Sequence, residues 1–208
     1  MNISWIRSPK RKLSLPDWLS LYRIIVAPFL LILIFVDARV LFSTLLLISF
    51  LTDALDGFLA RRMNIVTQRG SQFDSIGDAI TFTVGLIGII WFENAFVMEQ
   101  AGLLIFAFSF YILQLFIAYW KYGMPSSFHT YLAKTSAVFQ AVFMLWLFFI
   151  GVEYWLFYLT IILSILETVE EIILILIFPK WKSDVKGLFW VLAKKERKVL
   201  RENNIQKS

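Results

Sequence analysis

The stretch DALDGFLARRMNIVTQRGSQFDSIGD, residues 53–78, places four carboxylates, Asp53, Asp56, Asp74 and Asp78, inside an otherwise strongly apolar chain. At 100° of rotation per helical residue, Asp53, Asp56, Gly57 and Ala60 fall on one face of a first helix. Gly70, Asp74 and Asp78, spaced four apart, fall on one face of the next. The short turn between them makes the two helices antiparallel neighbours, so two acidic faces come together. Asp53 precedes Arg61 by eight residues, which sets it roughly 12 Å below the helix end at ~1.5 Å per residue, and Asp78 reaches a similar depth.

Four unpaired carboxylates at that depth repel one another and lose much of their hydration, so they must take up protons, meet cations or bind metal. Oxygen-only ligation favours Mg²⁺, Mn²⁺ or Ca²⁺ over zinc, and sites that leave water on Mg²⁺ usually share the ion with substrate phosphates. The pattern therefore points to phosphoryl chemistry. Gly57 and Ala60 remove bulk from the acidic face and leave room for a ligand or another helix, and Arg61 at the helix end is placed to hold a phosphate. The competing reading is a buried ion-pair network of the aspartates with Arg61, Arg62 or Arg69, with Gly57 and Ala60 as helix-packing residues. Such a network needs only two or three acids, whereas four are arranged here on facing surfaces.

The surrounding sequence fixes the setting. Of 208 residues, 59% are hydrophobic and 17% charged, which excludes an ordinary soluble domain. With no cysteine, a disulfide framework, a thiolate zinc site and cysteine nucleophile chemistry are excluded as well. The net charge of +5 does not point to nucleic acid, because the basic residues flank apolar blocks instead of forming one face; a membrane surface is the anionic partner. Apolar runs of about 20 residues, the length that crosses a ~30 Å hydrocarbon core, cover 19–36, 40–61, 73–92, 101–120, 132–150 and 154–178. With the N-terminus in the cytoplasm, only Arg39 of the 20 basic residues lies on the far side. The expected fold is thus all-α and polytopic: six transmembrane helices, both termini cytoplasmic, and the acidic site open to the cytoplasm. Trp18, Trp91, Trp120, Trp146, Trp155 and Trp181 fall near span ends, where amphipathic rings sit at headgroup level.

Three parts follow: an N-terminal interfacial arm at 1–18, a membrane catalytic domain at 19–178 and a basic amphipathic tail at 180–208. Pro16 and Asp17, and the absence of a small-residue cleavage pattern, argue against a cleaved signal peptide. The arm and the tail both mix aromatic and basic residues and are expected to lie on an anionic leaflet, each basic residue contributing about 1 kcal/mol near the surface.

The segment resembles the signature of the CDP-alcohol phosphotransferases (CDP-alcohol phosphatidyltransferases), D-x-x-D-G-x-x-A-R-x(8)-G-x-x-x-D-x-x-x-D. It matches at Asp53, Asp56, Gly57, Ala60, Arg61, Gly70, Asp74 and Asp78. Upstream, LPDWLSLYRIIVAP resembles the lead-in P-N-x-L-T-x-x-R-x-x-x-x-P of bacterial members at Pro16, Leu19, Arg23 and Pro28, with Asp17 and Ser20 replacing Asn and Thr. The resemblance implies transfer of a phosphatidyl or other phosphoalcohol group from CDP-diacylglycerol to the hydroxyl of a small polyol or polyol phosphate, releasing CMP. The opposite assignment, a soluble CDP-alcohol donor with diacylglycerol as acceptor, stays open.

By the same resemblance, Asp53, Asp56, Asp74 and Asp78 hold Mg²⁺ or Mn²⁺, and Asp78 is also the base. Asp53, Gly57, Ala60, Arg61 and Gly70 bind the CDP moiety. A homodimer in a bacterial inner membrane is implied as well. An ion or metal transporter would spread carboxylates through the membrane depth, and an aspartyl protease would need one proton-sharing pair; neither fits the clustering near one surface.

Past the signature, KYGMPSSFHTYLAK offers Lys134 and His129 as acceptor-binding residues on the same side as the aspartates. The resemblance to the G-K-x-x-T-x-x-Q stretch of phosphatidylglycerophosphate synthases is partial, resting on Lys134 and Gln140. Glu167, Glu170 and Glu171 share a face of the sixth span; their expected role is ion pairing with Arg23 or Lys134, the alternative being recognition of an acceptor.

Overall fold

The computed structural model describes residues 15–62, 68–126, 128–182 and 185–194, with the backbone alone at 15–17, 56–62 and 68–75. Every regular element among them is helical: α1 (Leu15–Phe35), α2 (Arg39–Arg62), α3 (Gln68–Phe92), α4 (Asn94–Glu99), α5 (Ala101–Tyr122), α6 (Tyr131–Phe149) and α7 (Tyr154–Ile177). A further helical run covers 188–194. Among the described residues, three stretches are long and apolar enough to cross a membrane by length and composition: Trp18–Phe35, Ala101–Tyr122 and Tyr131–Phe149. Ile76–Phe92 is a shorter apolar stretch, and α2 and α7 are interrupted by their carboxylates. The short α4 is not evident from hydropathy; it forms around Phe96, which is buried.

The chain divides into two compact units, Met1–Glu93 and Asn94–Ser208. In the first, α1 packs along both α2 and α3, which touch each other less. Ala27, Leu30 and Ile34, at helical spacing on α1, are buried, as are Phe42 and Leu46 of α2 and Val84 and Ile89 of α3. The face of α3 that is buried carries Gly77, Thr81, Gly85 and Gly88, a run of small residues that lets a neighbouring backbone approach. Phe42 and Phe92 meet in a tilted ring contact with centroids 5.4 Å apart, and Arg39 pairs with Glu93 at that same end. The turn between α1 and α2 places Asp37 at φ 57°, a left-handed conformation that Asp tolerates better than most residues. Buried Ser43 and Ser49 donate to the carbonyls of Arg39 and Leu45, one turn back, so neither hydroxyl is left without an acceptor in an apolar interior.

In the second unit α7 packs against α5 and α6. One end is aromatic: Phe96 meets Phe157 at 5.0 Å and Phe143 meets Phe157 at 5.5 Å between ring centroids. The other end is a cluster of Ala118, Phe128, Leu174, Ile175 and Val185. There the last carbonyls of α7 are satisfied by α5, with Lys121 Nζ donating to Ile175 O at 2.7 Å and Tyr122 Oη to Phe178 O at 2.8 Å. A polar seam joins the two ends. Gln140 Nε2 donates to Ser164 Oγ at 2.8 Å, and Glu171 accepts from Gln114 Nε2 at 2.6 Å and from Ser126 Oγ at 2.7 Å.

Many large apolar side chains of the described residues are exposed. Along α5 alone, Ile105, Phe106, Phe108, Phe116 and Trp120 are each more than half exposed. Water would make such a surface an aggregation face; lipid makes it the ordinary exterior of a membrane helix.

Candidate functional site

The centre of the site is an arginine that the acidic signature does not contain. Arg23 projects from α1 between α2 and α3, its side chain fully buried. A guanidinium cannot shed its charge, so at this depth it must find anions. Its Nη2 lies 3.2 Å from Asp53 Oδ1 on α2 and donates to Asp78 Oδ1 on α3 at 2.9 Å. The two carboxylates, 25 residues apart in sequence, are thus held by one nitrogen. The aspartates are far more open than the arginine, at 41% and 49% side-chain exposure. The guanidinium is a buried backstop, and the carboxylates face outward from it.

This geometry depends on Gly77. A Cβ there would stand 2.9 Å from Arg23 Nε and 3.3 Å from the carbonyl of Ser20. Glycine in a helix interior costs about 0.5–1 kcal/mol relative to alanine. At this position it makes the room that Arg23 occupies beside Asp78. Gly77 lies inside the acidic stretch, and its signal in the sequence was that cost; only the proximity of Arg23 gives it a reason.

Asp56, Gly57, Ala60 and Arg61 lie on the backbone of α2, and Gly70 and Asp74 on that of α3. Their helical register keeps Asp56 with Asp53 and Asp74 with Asp78. Their side chains lie outside the described residues. Among the described residues no three His, Asp or Glu side chains form a metal-binding group, the expected set needing Asp56 and Asp74. The donor chemistry fits a hard divalent cation: Asp53 and Asp78, each bonded to Arg23 through Oδ1, are half exposed and offer oxygen donors.

Lys134 and His129 belong to the second unit. Lys134 is exposed near the start of α6, its Nζ 5.9 Å from the Tyr131 ring centroid. His129 is exposed, with φ 50°, and precedes Thr130, whose side chain accepts from Ala133 N at 3.0 Å and caps α6. The acids of α7 find other partners than the expected arginine or lysine. Besides the Glu171 bonds to Gln114 and Ser126, Glu170 Oε1 accepts from the backbone N–H of Leu188 at 2.8 Å. Neutral donors meet Glu171 and one oxygen of Glu170, whose Oε2 is buried without a hydrogen-bond partner among the described residues, while Arg23 is engaged by Asp53 and Asp78.

Comparison with known proteins places the chain in a family. The chain is 35% identical over 119 residues to the CDP-diacylglycerol–glycerol-3-phosphate 3-phosphatidyltransferase of Rickettsia typhi, covering 55% of this chain and 66%, just under two thirds, of that protein. It is 33% identical over 132 residues to the protein of the same name from Rickettsia bellii, covering 61% of this chain and 70% of the relative. For the Wigglesworthia glossinidia brevipalpis protein, again of that name, the figures are 35% over 88 residues, 41% and 48%. The family model described as CDP-alcohol phosphatidyltransferase matches residues 13–166, a span that holds the arginine, its two carboxylate partners and the glycine between them, and the chain belongs to that family.

Proposed function

We propose that this protein transfers a phosphatidyl group from CDP-diacylglycerol to the hydroxyl of a small polyol phosphate of the glycerol-3-phosphate kind, releasing CMP. The observation that carries the reading is the convergence of Asp53 and Asp78 on Arg23, which fixes two outward-facing carboxylates at one point between three helices. The names of the relatives support the choice of donor and acceptor.

In this reading Asp53, Asp56, Asp74 and Asp78 hold Mg²⁺ or Mn²⁺. The bound ion supplies neutralisation of charge on the diphosphate and on the departing CMP. Gly57, Ala60 and Gly70 leave the nucleotide room to approach the backbone, and Arg61 contacts its phosphates. Arg23 orients Asp53 and Asp78 from behind. Asp78 takes the proton of the acceptor hydroxyl as that oxygen bonds to the phosphorus carrying the diacylglycerol; the bond from this phosphorus to the bridging oxygen breaks, and the oxygen leaves with CMP. Lys134 and His129 contribute to holding the acceptor.

The same proposal places the protein in a bacterial inner membrane as six spans with both termini and the aspartates on the cytoplasmic side. The arm 1–18 and the tail 180–208 flank the catalytic domain 19–178, and the working form is a homodimer. The decisive experiment incubates purified protein with CDP-diacylglycerol, Mg²⁺ or Mn²⁺, and a panel of acceptors, reading CMP release. We expect release that depends on glycerol 3-phosphate or a related polyol phosphate and stops with excess chelator. Release seen only when a soluble CDP-alcohol and diacylglycerol are supplied would reverse donor and acceptor, and full activity in chelator would remove the metal.

A further inference from the structure

The helical run at 188–194 is apolar on two sides. Leu188 and Val191 pack inward on the cluster formed by Ala118, Phe128, Leu174, Ile175 and Val185. Phe189, Trp190 and Leu192 point away and are 74%, 48% and 49% exposed. A surface helix in water turns one apolar stripe inward and shows polar residues outside; this one needs a second apolar phase. It is also firmly placed. Val185 N donates to Phe128 O at 2.8 Å, Tyr131 N to Lys186 O at 3.2 Å, and Leu188 N to Glu170 Oε1 at 2.8 Å. Gly187, at φ 147°, passes so close that a Cβ would lie 3.1 Å from that Glu170 oxygen and 3.3 Å from the Trp190 ring.

The position of the run is set by the same contacts. Trp190 meets Tyr131, the first residue of the α6 span, in a tilted ring contact at 5.5 Å between centroids, and the run packs beside Ala118 near the end of the α5 span. It therefore lies at the level where two membrane-length helices end. Exposed Lys186 and Lys194 flank it, and nine Lys/Arg against three acids occupy 180–208.

We propose that the outer face of this run, Phe189, Trp190 and Leu192 between Lys186 and Lys194, is a docking surface for the headgroup region of an anionic lipid leaflet. The aromatic and aliphatic side chains enter the boundary of the acyl region, and the lysines meet lipid phosphates. The strap at 185–188 ties this surface to both sides of His129, so lipid contact and the start of α6 are held as one piece.

The inference rests on the membrane-span reading and not on the reaction, so it is tested without turnover. The chain has no native cysteine, and single replacements can carry a spin label in the full-length protein. Phe189→Cys, Leu192→Cys, Lys186→Cys and Lys194→Cys are reconstituted in bilayers of phosphatidylcholine alone or mixed with phosphatidylglycerol. Accessibility is read to oxygen, which partitions into lipid, and to an aqueous nickel chelate. We expect the oxygen-to-nickel ratio at 189 and 192 to exceed that at 186 and 194 by at least about threefold, and to rise further with phosphatidylglycerol. Equal ratios at all four sites, or no response to phosphatidylglycerol, overturn the proposal. So does exclusion of both reagents at 189 with strong coupling between labels, the sign of a second copy seated there. A label at Ile112, midway along α5, separates the two failures: it stays in oxygen-rich hydrocarbon if only the docking is wrong and becomes nickel-accessible if the span is.

Discussion

At the scale of single residues, the division of labour around Arg23 yields two predictions of opposite kind. Glycine to alanine inside a helix ordinarily stabilises by about 0.5–1 kcal/mol. At Gly77 the added methyl would meet Arg23 Nε at 2.9 Å, so the guanidinium must shift and draw Asp53 and Asp78 with it. Gly77→Ala is expected to lower the thermal midpoint and to cut CMP release about tenfold or more, since small misplacements of reacting groups are costly. A stabilised variant with full activity would show that Arg23 has slack. The second prediction separates the base from the metal ligands. Asp78→Asn should reduce turnover by roughly 10²–10⁴-fold, the range for loss of a general base, while binding of the CDP donor survives better than in Asp53→Asn. Equal loss of donor binding in the two variants would remove the distinction.

The residues in this argument differ in how far the sequence revealed them. The carboxylates were legible because charge in an apolar helix is costly and their spacing is regular. The partner of Arg23 was not, because sequence spacing does not say which of several acids shares a helix–helix contact, and the Glu167–Glu171 group was an equally plausible answer. The two aspartates meet Arg23 because α1 packs against both α2 and α3.

Among elements, helix existence was legible and helix termination less so. Long apolar runs bounded by Lys, Arg and Trp mark α1, α5 and α6 within a few residues. The short α4 escaped because six residues carry too little periodicity, and what defines it is burial of Phe96. The polar seam of α7 was visible as three glutamates, but its real partners, Gln114 and Ser126, are neutral and lie up to 57 residues away. The start of α6 gives a direct test of local energetics. Thr130, fully buried, caps that helix by accepting from Ala133 N at 3.0 Å. Thr130→Ala should destabilise the protein by about 1 kcal/mol, whereas Thr130→Ser keeps the cap oxygen and most of the stability. Thermal unfolding in detergent reads the difference; equal loss in both variants would assign the effect to the missing methyl and not to the cap.

For the molecule as a whole, the question is which way the apolar exterior is threaded. Among the described residues, three helices have the length and composition to cross on their own; α2, α3 and α7 carry carboxylates and would cross only with those groups turned toward protein or a cavity. In the first unit Arg39 and Glu93 pair at one end, and Asp53 lies fourteen residues further along α2, about 21 Å away at ~1.5 Å per residue. The carboxylate site is therefore well removed from that end. The six-span proposal puts Arg39 and Glu93 outside and nearly all other basic residues inside. A chain without native cysteine allows this to be read cleanly. A cysteine at Asn64, between α2 and α3, is expected to react with a membrane-impermeant maleimide only from the cytoplasmic side, and one at Val152, between α6 and α7, only from the opposite side. Reaction of both from the same side would mean that the number of crossings between residues 64 and 152 is even. Either one or all three of α3, α5 and α6 would then fail to span, and the cytoplasmic assignment of Lys134 and His129 would need to be drawn again from that new count.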